Sequence, residues 1–510
     1  MSEVKARSGR QARQVARAQK GLGLGRPYII RNIPTYDVLS EENLTRIEAA
    51  ADRVLAETGI EFRDDPVALD HWHRAGADVQ GLLVKFPPGL LREVLASAPA
   101  EFTQHARNPA NSVRIGGKSV VFAPAYGSPF VMDLDRGRRF GTLEDFRNFI
   151  KLAQSSPNFH HSGGTICEPT DVPVNKRHLD MVMAHIELSD RPFMGSVTAE
   201  ERSEDSIAMA RLVFGDGFVD ENCVILGNVN VNSPLVWDGT MTRSLRAYAR
   251  ANQAAVVVPF ILGGAMGPVT SAGGIVQSLA ETMAGCALTQ LERKGAPVIF
   301  GNFLSTMSLR SGSPTFGTPE PAIGSQVIGQ LARRLNLPLR CSGNFTTSKL
   351  PDGQAMQEGT MSMLAAVQCG ANFILHSAGF LDGLLSMSYE KFMMDADLCG
   401  ALHAYLDGIR MDDDQLAVDA FAEVGPGNHF FGSSHTLRHY ETAFWDSDLS
   451  DNEPFEKWEA AGSEDIATRA NRQWKKRLAE YEAPALEESL RDSLYDFVAR
   501  KKSDSPDAWH

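Results

Sequence analysis

The chain has 510 residues, 43% of them hydrophobic and 22% charged, with a formal net charge of −13. That balance is globular, and the acidic charge argues against nucleic acid, which needs a concentrated basic surface. No run reaches the ~18 to 20 uninterrupted apolar residues of a membrane helix, so a cytoplasmic protein with no membrane partner is expected.

Residues 1–35 form a basic arm. Lys5, Arg7, Arg10, Arg13, Arg17, Lys20 and Arg26 face Glu3 alone, and a GLGLG run follows. The arm lacks the apolar stretch of a secretory signal, and it reads as a solvated or partner-draped segment. Its alternative, an RNA or membrane-surface role, lacks interleaved aromatics. Residues 36–115 read as a helical cap, from VLSEENLTRIEAAADRVLAETG and PPGLLREVLASAP.

From residue 116 to 437 the chain repeats one grammar. A short apolar or β-branched run ends in Gly, Asn, Ser or Pro, and an amphipathic helical stretch follows. The runs are SVVFAPAY (119–126), GGTICEP (163–169), PFMGSV (192–197), CVILGNVNV (223–231), VVVPFILGG (256–264), PVIFGNF (297–303), LPLRCSGN (337–344) and ANFILHSAG (371–379). Helical patterns fall at 143–154, 176–188, 204–214, 241–252, 274–295, 321–335, 354–370 and 388–408, each with apolar residues at i, i+3/i+4 and i+7. Continuous apolar runs suit parallel strands buried on both faces. Eight such units predict an α/β fold, a TIM (β/α)₈ barrel, with additions at both ends. An open doubly wound sheet is the alternative, but no GxGxxG follows the first run, and ILGGAMGPVTSAGG lacks the lysine of a P-loop. Residues 438–510 read as a C-terminal helical extension.

In such a barrel the chemistry sits at the carboxyl ends of the strands. There the sequence puts Tyr126, Asn230, Trp237, Asn302, Asp352, Gln354, Glu358 and His376. The set is rich in amides and carboxylates and poor in Arg and Lys, which disfavours a phosphorylated substrate. Carboxylates with aromatic rings suit a small organic cation. Asp352 also fits the N-cap of the helix that opens at Gly353. His376 ends an apolar strand and either faces the mouth or bonds a neighbouring strand end; both readings stay open.

Other chemistry is less well supported. The six cysteines, Cys167, Cys223, Cys286, Cys341, Cys369 and Cys399, include no CxxC and read as reduced, buried thiols. A zinc site from Cys167, Cys223 and Cys341 lacks metal spacing, so no metal is expected. His429, His435 and His439 include an i, i+4 pair without a carboxylate on the same helix face, which favours packing or loop anchoring. A Ser–His–Asp hydrolase lacks its GxSxG elbow.

Several segments in order resemble the trimethylamine methyltransferase family: NVNVNSPL, QSLAETMAGCALTQLE, PVIFGNFLSTMSLRSGSPTFGTPEPA, SKLPDGQAMQEGTMSMLAAVQCGANFILHSAGFLDGLLSMSYEKFMMDADL and VGPGNHFFGSSHTLRHY. The resemblance implies a TIM barrel and transfer of a methyl group from an amine to a cobalt corrinoid carried by a separate protein. With only the twenty standard residues, the chain is similar to the branch without pyrrolysine, which implies a quaternary amine such as glycine betaine. It implies no tightly bound cofactor, since cobalamin arrives on the corrinoid protein, and a homo-oligomer is expected. Under this resemblance Tyr126 and Trp237 are candidate cage walls, with Asn302 also at the substrate. Asp352 and Glu358 supply negative potential, Glu358 and His376 being the candidate catalytic pair. Asn230, Gln354 and His376 hold the substrate's other end. Where the family pattern leads one to expect two histidines, the chain has His376-Ser377. A metal-dependent barrel hydrolase or lyase and a non-catalytic betaine-binding protein are the alternatives.

Overall fold

The computed structural model describes residues 25–509, so most of the basic arm lies outside the described residues. Seven parallel strands are paired in one curled sheet: β1 (Ser119–Phe122), β2 (Phe193–Met194), β3 (Ile225–Val231), β4 (Ala254–Gly263), β5 (Val298–Gly301), β6 (Leu339–Ser342) and β7 (Phe373–Leu375). Their spatial order is β1-β7-β6-β5-β4-β3-β2, so the last strand pairs with the first. Helices alternate with them: α1 (Leu143–Ser155), α2 (Arg177–Leu188), α3 (Glu200–Phe214), α4 (Gly239–Arg250), α5 (Ser271–Glu292), α6 (Pro319–Arg334), α7 (Gly353–Gln368) and α8 (Tyr389–Asp407). All eight expected helices are present, with ends displaced by a few residues.

One expected strand is not. Residues 163–169 form no strand, because Gly163 takes φ +99° and turns the chain out of the extended region. The segment just before it crosses from β1 to β2 instead. His160 N donates to Phe122 O (3.1 Å) and its Nδ1 accepts from Phe122 N (2.9 Å). Ser162 N donates to Pro192 O and Met194 N to Gly163 O, both at 2.9 Å. Among the described residues the sheet therefore runs through these seven strands and a polar connecting segment, with Phe303–Met307 added parallel to β4 and Ile29–Ile30 antiparallel to β1.

Strand alternation sorts the side chains. Val121, Leu226, Val256, Ile299 and Phe373 point to the inner face and form a core separate from the one the helices cover. A hairpin (Glu101–Gln104 with Val113–Gly116) closes this inner core at the amino ends of the strands with Val113 and Ile115, and Gln104 Nε2 donates to Phe193 O at 2.9 Å.

Residues 36–115 are mixed rather than helical. Helices Glu41–Arg53, Pro66–Arg74 and Leu90–Leu95 are interleaved with short strands, of which Ile60–Phe62 pairs with Val236–Trp237. Period-3.6 patterning reveals the helices but misses three-residue strands, which are too short to alternate. The segment is pinned to α4 and α5 by Arg246, whose Nε and Nη2 each lie 3.0 Å from Asp65 and whose Nη1 lies 3.2 Å from Glu292. At the other end, α9 (Ile466–Ala479) packs along α8. Its Trp474 stacks on Tyr389 at 4.6 Å and donates from Nε1 to Glu390 at 2.9 Å. No helix among the described residues is long and apolar enough to cross a membrane.

Asp65→Ala leaves the buried Arg246 with a single carboxylate partner. The expected cost is about 3 kcal/mol, read as a lower urea midpoint with early proteolysis of residues 36–115.

Candidate active site

The inner face changes character toward the carboxyl ends of the strands. Phe260 on β4 lies beside Phe303 just after β5, ring centroids 4.8 Å apart. Phe303 stacks on Phe345, which follows β6, at 5.0 Å. His376 follows β7 and lies 4.9 Å from Phe345, 4.9 Å from Phe380 and 5.6 Å from Phe303. Phe316 closes the group, 5.1 Å from Phe345. Its loop is pressed onto α7 so tightly that a Cβ at Gly317 would lie 2.3 Å from the Cβ of Glu358, so only glycine fits there. Phe260 and Phe303 are half-buried and the other three phenylalanines are buried, so solvent reaches the group at the first two.

His376 has φ +66°, a left-handed conformation that a non-glycine residue holds only when its surroundings impose it. They do: its N donates to Pro124 O (3.1 Å) and its O accepts from Asn344 N (2.8 Å). The twist aims the imidazole into the aromatic group. Arg340 Nη2 lies 2.9 Å from His376 Nδ1, and burial together with that guanidinium holds the imidazole far below its usual pKa. The ring is therefore neutral.

Other expected site residues are distributed unequally. Tyr126 is half-buried near the β1–β2 side of the rim; burial pushes its hydroxyl up to about 12, so it remains protonated. Asn230 shares the inner face of β3 with Leu226 and is exposed at the mouth. Asn302 points outward, donating to Ser325 Oγ at 3.0 Å, and only its carbonyl faces Arg340. Asp352 is the N-cap of α7, accepting from Ala355 N at 3.0 Å and Ser348 Oγ at 2.9 Å. Glu358 accepts from Thr346 Oγ1 (2.7 Å), Thr347 N (2.8 Å) and Gln354 Nε2 (2.9 Å), which makes it the clamp of the 346–347 loop and Gln354 its support.

Trp237 is a correction. It is fully buried on the outer side of the sheet, against Gly285 of α5 and Val257, and does not reach the mouth. The chain turns outward after β3 so that Val236–Trp237 can pair with Ile60–Phe62, and a large apolar ring there fills the layer beneath the N-terminal segment.

All six cysteines are free and buried. The carboxylate missing beside His435 and His439 comes from Asp414: His439 Nε2 lies 2.7 Å from Asp414 Oδ2, and His435 Nε2 bonds Asp414 O at 2.8 Å. Asp414 also pairs with Arg438, and the segment leaves α8 beside Asn32, whose neighbour Arg31 bonds Lys118 at the amino ends of the strands. The three side chains offer ligand atoms within 4.8 Å of one another, a spacing that could hold a metal ion, and their contacts tie residues 414 and 435–439 together.

Sequence reading missed Phe260, Phe303, Phe316, Phe345 and Phe380, as well as Arg340. Phe303, Phe345 and Phe380 stand just beyond strand ends and Phe260 lies within β4, and a phenylalanine in such a place reads by default as core.

Two outcomes follow. Glu358→Ala removes the acceptor of several loop donors and is expected to lower stability by about 2 to 3 kcal/mol in a denaturant titration. His160, His161, His185 and His376 are all held below their usual pKa by burial, His185 at about 4. Their unfolded forms take up protons below about pH 6.5 while the folded forms do not, so stability is fully present above that pH. It is lost on acidification by up to about 1.4 kcal/mol per pH unit for each histidine. Asp395, pushed up to about 6 by burial, regains a proton over part of this range and offsets one of the four. The melting temperature is expected to be flat from pH 8 to 7 and to fall toward pH 5; a rise would mean that these imidazoles are charged.

Comparison with known proteins identifies the family. The chain is 40% identical over 470 residues to a glycine betaine methyltransferase of Desulfitobacterium hafniense, covering 92% of this chain and 98% of that protein. It is 27% identical to a proline betaine:corrinoid methyltransferase of Eubacterium limosum, covering 88% of this chain and 94% of that protein. It is also 27% identical to a trimethylamine methyltransferase of Desulfitobacterium hafniense, with 90% and 92% covered. The crystal structure of the Methanosarcina barkeri monomethylamine methyltransferase shares its fold, with a TM-score of 0.50 over 93% of each chain at 10% identity. Residues 6–506 match the trimethylamine methyltransferase family, and the chain is an enzyme of that family, a methyltransferase.

Proposed function

We propose that this enzyme moves a methyl group from a small quaternary amine of the betaine class to the Co(I) corrinoid of a partner protein. The observation that carries the reading is the aromatic group around His376, in which Phe260 and Phe303 are only half-buried. Ring faces attract a cation without donating a hydrogen bond, and a quaternary nitrogen offers none to accept. The named substrates of the two betaine methyltransferases above support the same class.

The chemistry asks little acid–base work of the protein. The Co(I) electron pair attacks one methyl carbon, the carbon–nitrogen bond breaks, and its pair stays on nitrogen as a neutral tertiary amine. The nitrogen is already cationic in the substrate and departs neutral, so no proton is needed. The protein must hold the cation, direct one methyl toward the mouth and exclude water. Phe260, Phe303 and Tyr126 hold it, Glu358 and Asp352 add negative potential at the rim, and Asn230 and His376 face the substrate from opposite sides. The corrinoid belongs to the partner and is a substrate of this chain.

In this reading the sheet is a (β/α)₈ barrel in which residues 160–163 stand in the place of the second strand. Residues 36–115 and 438–510 are additions around it, and the enzyme is a cytoplasmic homo-oligomer.

Incubation with glycine betaine and Co(I) cobalamin is expected to give methylcobalamin and dimethylglycine. Phe303→Ala is expected to raise KM for the amine about ten-fold, the loss of one desolvated cation–π contact, with a smaller change in kcat. Absence of methylcobalamin with every betaine tried would overturn the proposal.

A further inference from the structure

Beneath the aromatic group lies a guanidinium with no counter-charge. Arg340 is on the inner face of β6 and fully buried. Its Nη1 donates to Asn302 O (2.7 Å) and Ser342 Oγ (3.2 Å), its Nη2 to His376 Nδ1 (2.9 Å), and its Nε to nothing. No carboxylate pairs with it among the described residues, whereas the equally buried Arg246 has two. Burial lowers its pKa only to about 9, so the charge persists at neutral pH. An uncompensated buried ion costs several kcal/mol, and a fold that keeps one has a use for its field.

The arrangement fixes the histidine as well. A guanidinium N–H can only donate, so His376 Nδ1 must accept. The ring hydrogen then sits on Nε2, which has no partner among the described residues. The imidazole therefore presents an N–H donor between Phe303, Phe345 and Phe380, backed by a full positive charge that also lies 5.2 Å from the Phe303 ring. Ring faces for a cation thus stand directly beside a donor and a field suited to an anion.

We infer that Arg340, acting through neutral His376, forms the carboxylate end of the substrate site, so the enzyme selects zwitterionic quaternary amines over cations of similar size without a carboxylate. Arg340 is a positioning residue here, and His376 is the group that touches the carboxylate. The inference rests on the quaternary-amine reading and sharpens it.

Calorimetric binding of glycine betaine and of choline, which share the trimethylammonium head, tests the point in the wild type, Arg340→Met and Arg340→Lys. The wild type is expected to prefer glycine betaine by about ten- to hundred-fold, the size of one charge-assisted hydrogen bond. Arg340→Met is expected to bring the two ligands within about two-fold, with choline bound at least as tightly as by the wild type because a nearby positive charge is gone, and Arg340→Lys to fall between. Nitrogen-15 spectra of the wild type are expected to show His376 as the Nε2–H tautomer, with mixed tautomers in Arg340→Met. Equal binding of the two ligands by the wild type, or an Nδ1–H tautomer, overturns the inference even if Arg340→Met does not fold. A folded Arg340→Met that loses both ligands equally overturns it too. If the wild type binds neither glycine betaine nor any other quaternary amine, the quaternary-amine reading itself fails.

Discussion

The pairing of β7 with β1, Phe373 with Val121 and Ile374 with Phe122, joins segments about 250 residues apart in sequence, and the geometry of the candidate site hangs on it. It brings the residue after β7 beside Pro124, whose carbonyl receives His376 N and holds that residue in its left-handed twist. The pairing of β6 with β7 puts Arg340 opposite Phe373, so alternation sends its side chain inward and that of Cys341 outward. A one-residue slip in either pairing would exchange those faces, moving the guanidinium into the helix-covered core and away from His376.

The two buried arginines make an instructive contrast. Arg246 lies between Asp65 and Glu292, and its task is to fasten the N-terminal segment to α4 and α5. Charge is balanced there, and the result is mechanical. Arg340 keeps its charge unbalanced and next to an aromatic wall, and the buried imidazole above it stays neutral. Burial alone lowers the histidine pKa; the guanidinium adds a second push in the same direction and decides which ring nitrogen carries the hydrogen. Protonation state and orientation thus come from one contact.

Local chemistry similarly separates residues that look alike in the chain. Asp352 and Glu358 lie on or beside the first turns of α7, and both carboxylates are taken up by nearby donors, one as a cap and one as a loop clamp. Asn302 and Asn230 both end strands, yet one faces Ser325 and the other the open mouth. Strand parity makes that difference, and parity depends on which residues enter the ladder.

The sequence by itself determined the alternation of strand and helix, the eight helices of the repeating unit, the buried reduced cysteines and the family. Those features are local or periodic: a 3.6-residue period, an apolar run and an ordered set of motifs survive without knowledge of neighbours. The place of His376 at the end of an apolar strand was also legible, but not which way its ring faces. Only the tertiary structure decided that residues 160–163, not 163–169, cross from β1 to β2, since Gly163 turns the chain. It alone removed Trp237 from the mouth, because the strand partner at Ile60–Phe62 is some 175 residues away. And it alone assembled the phenylalanines over Arg340, because an apolar ring in sequence reads as core, and the missing counter-charge of an arginine is visible only among the residues that surround it.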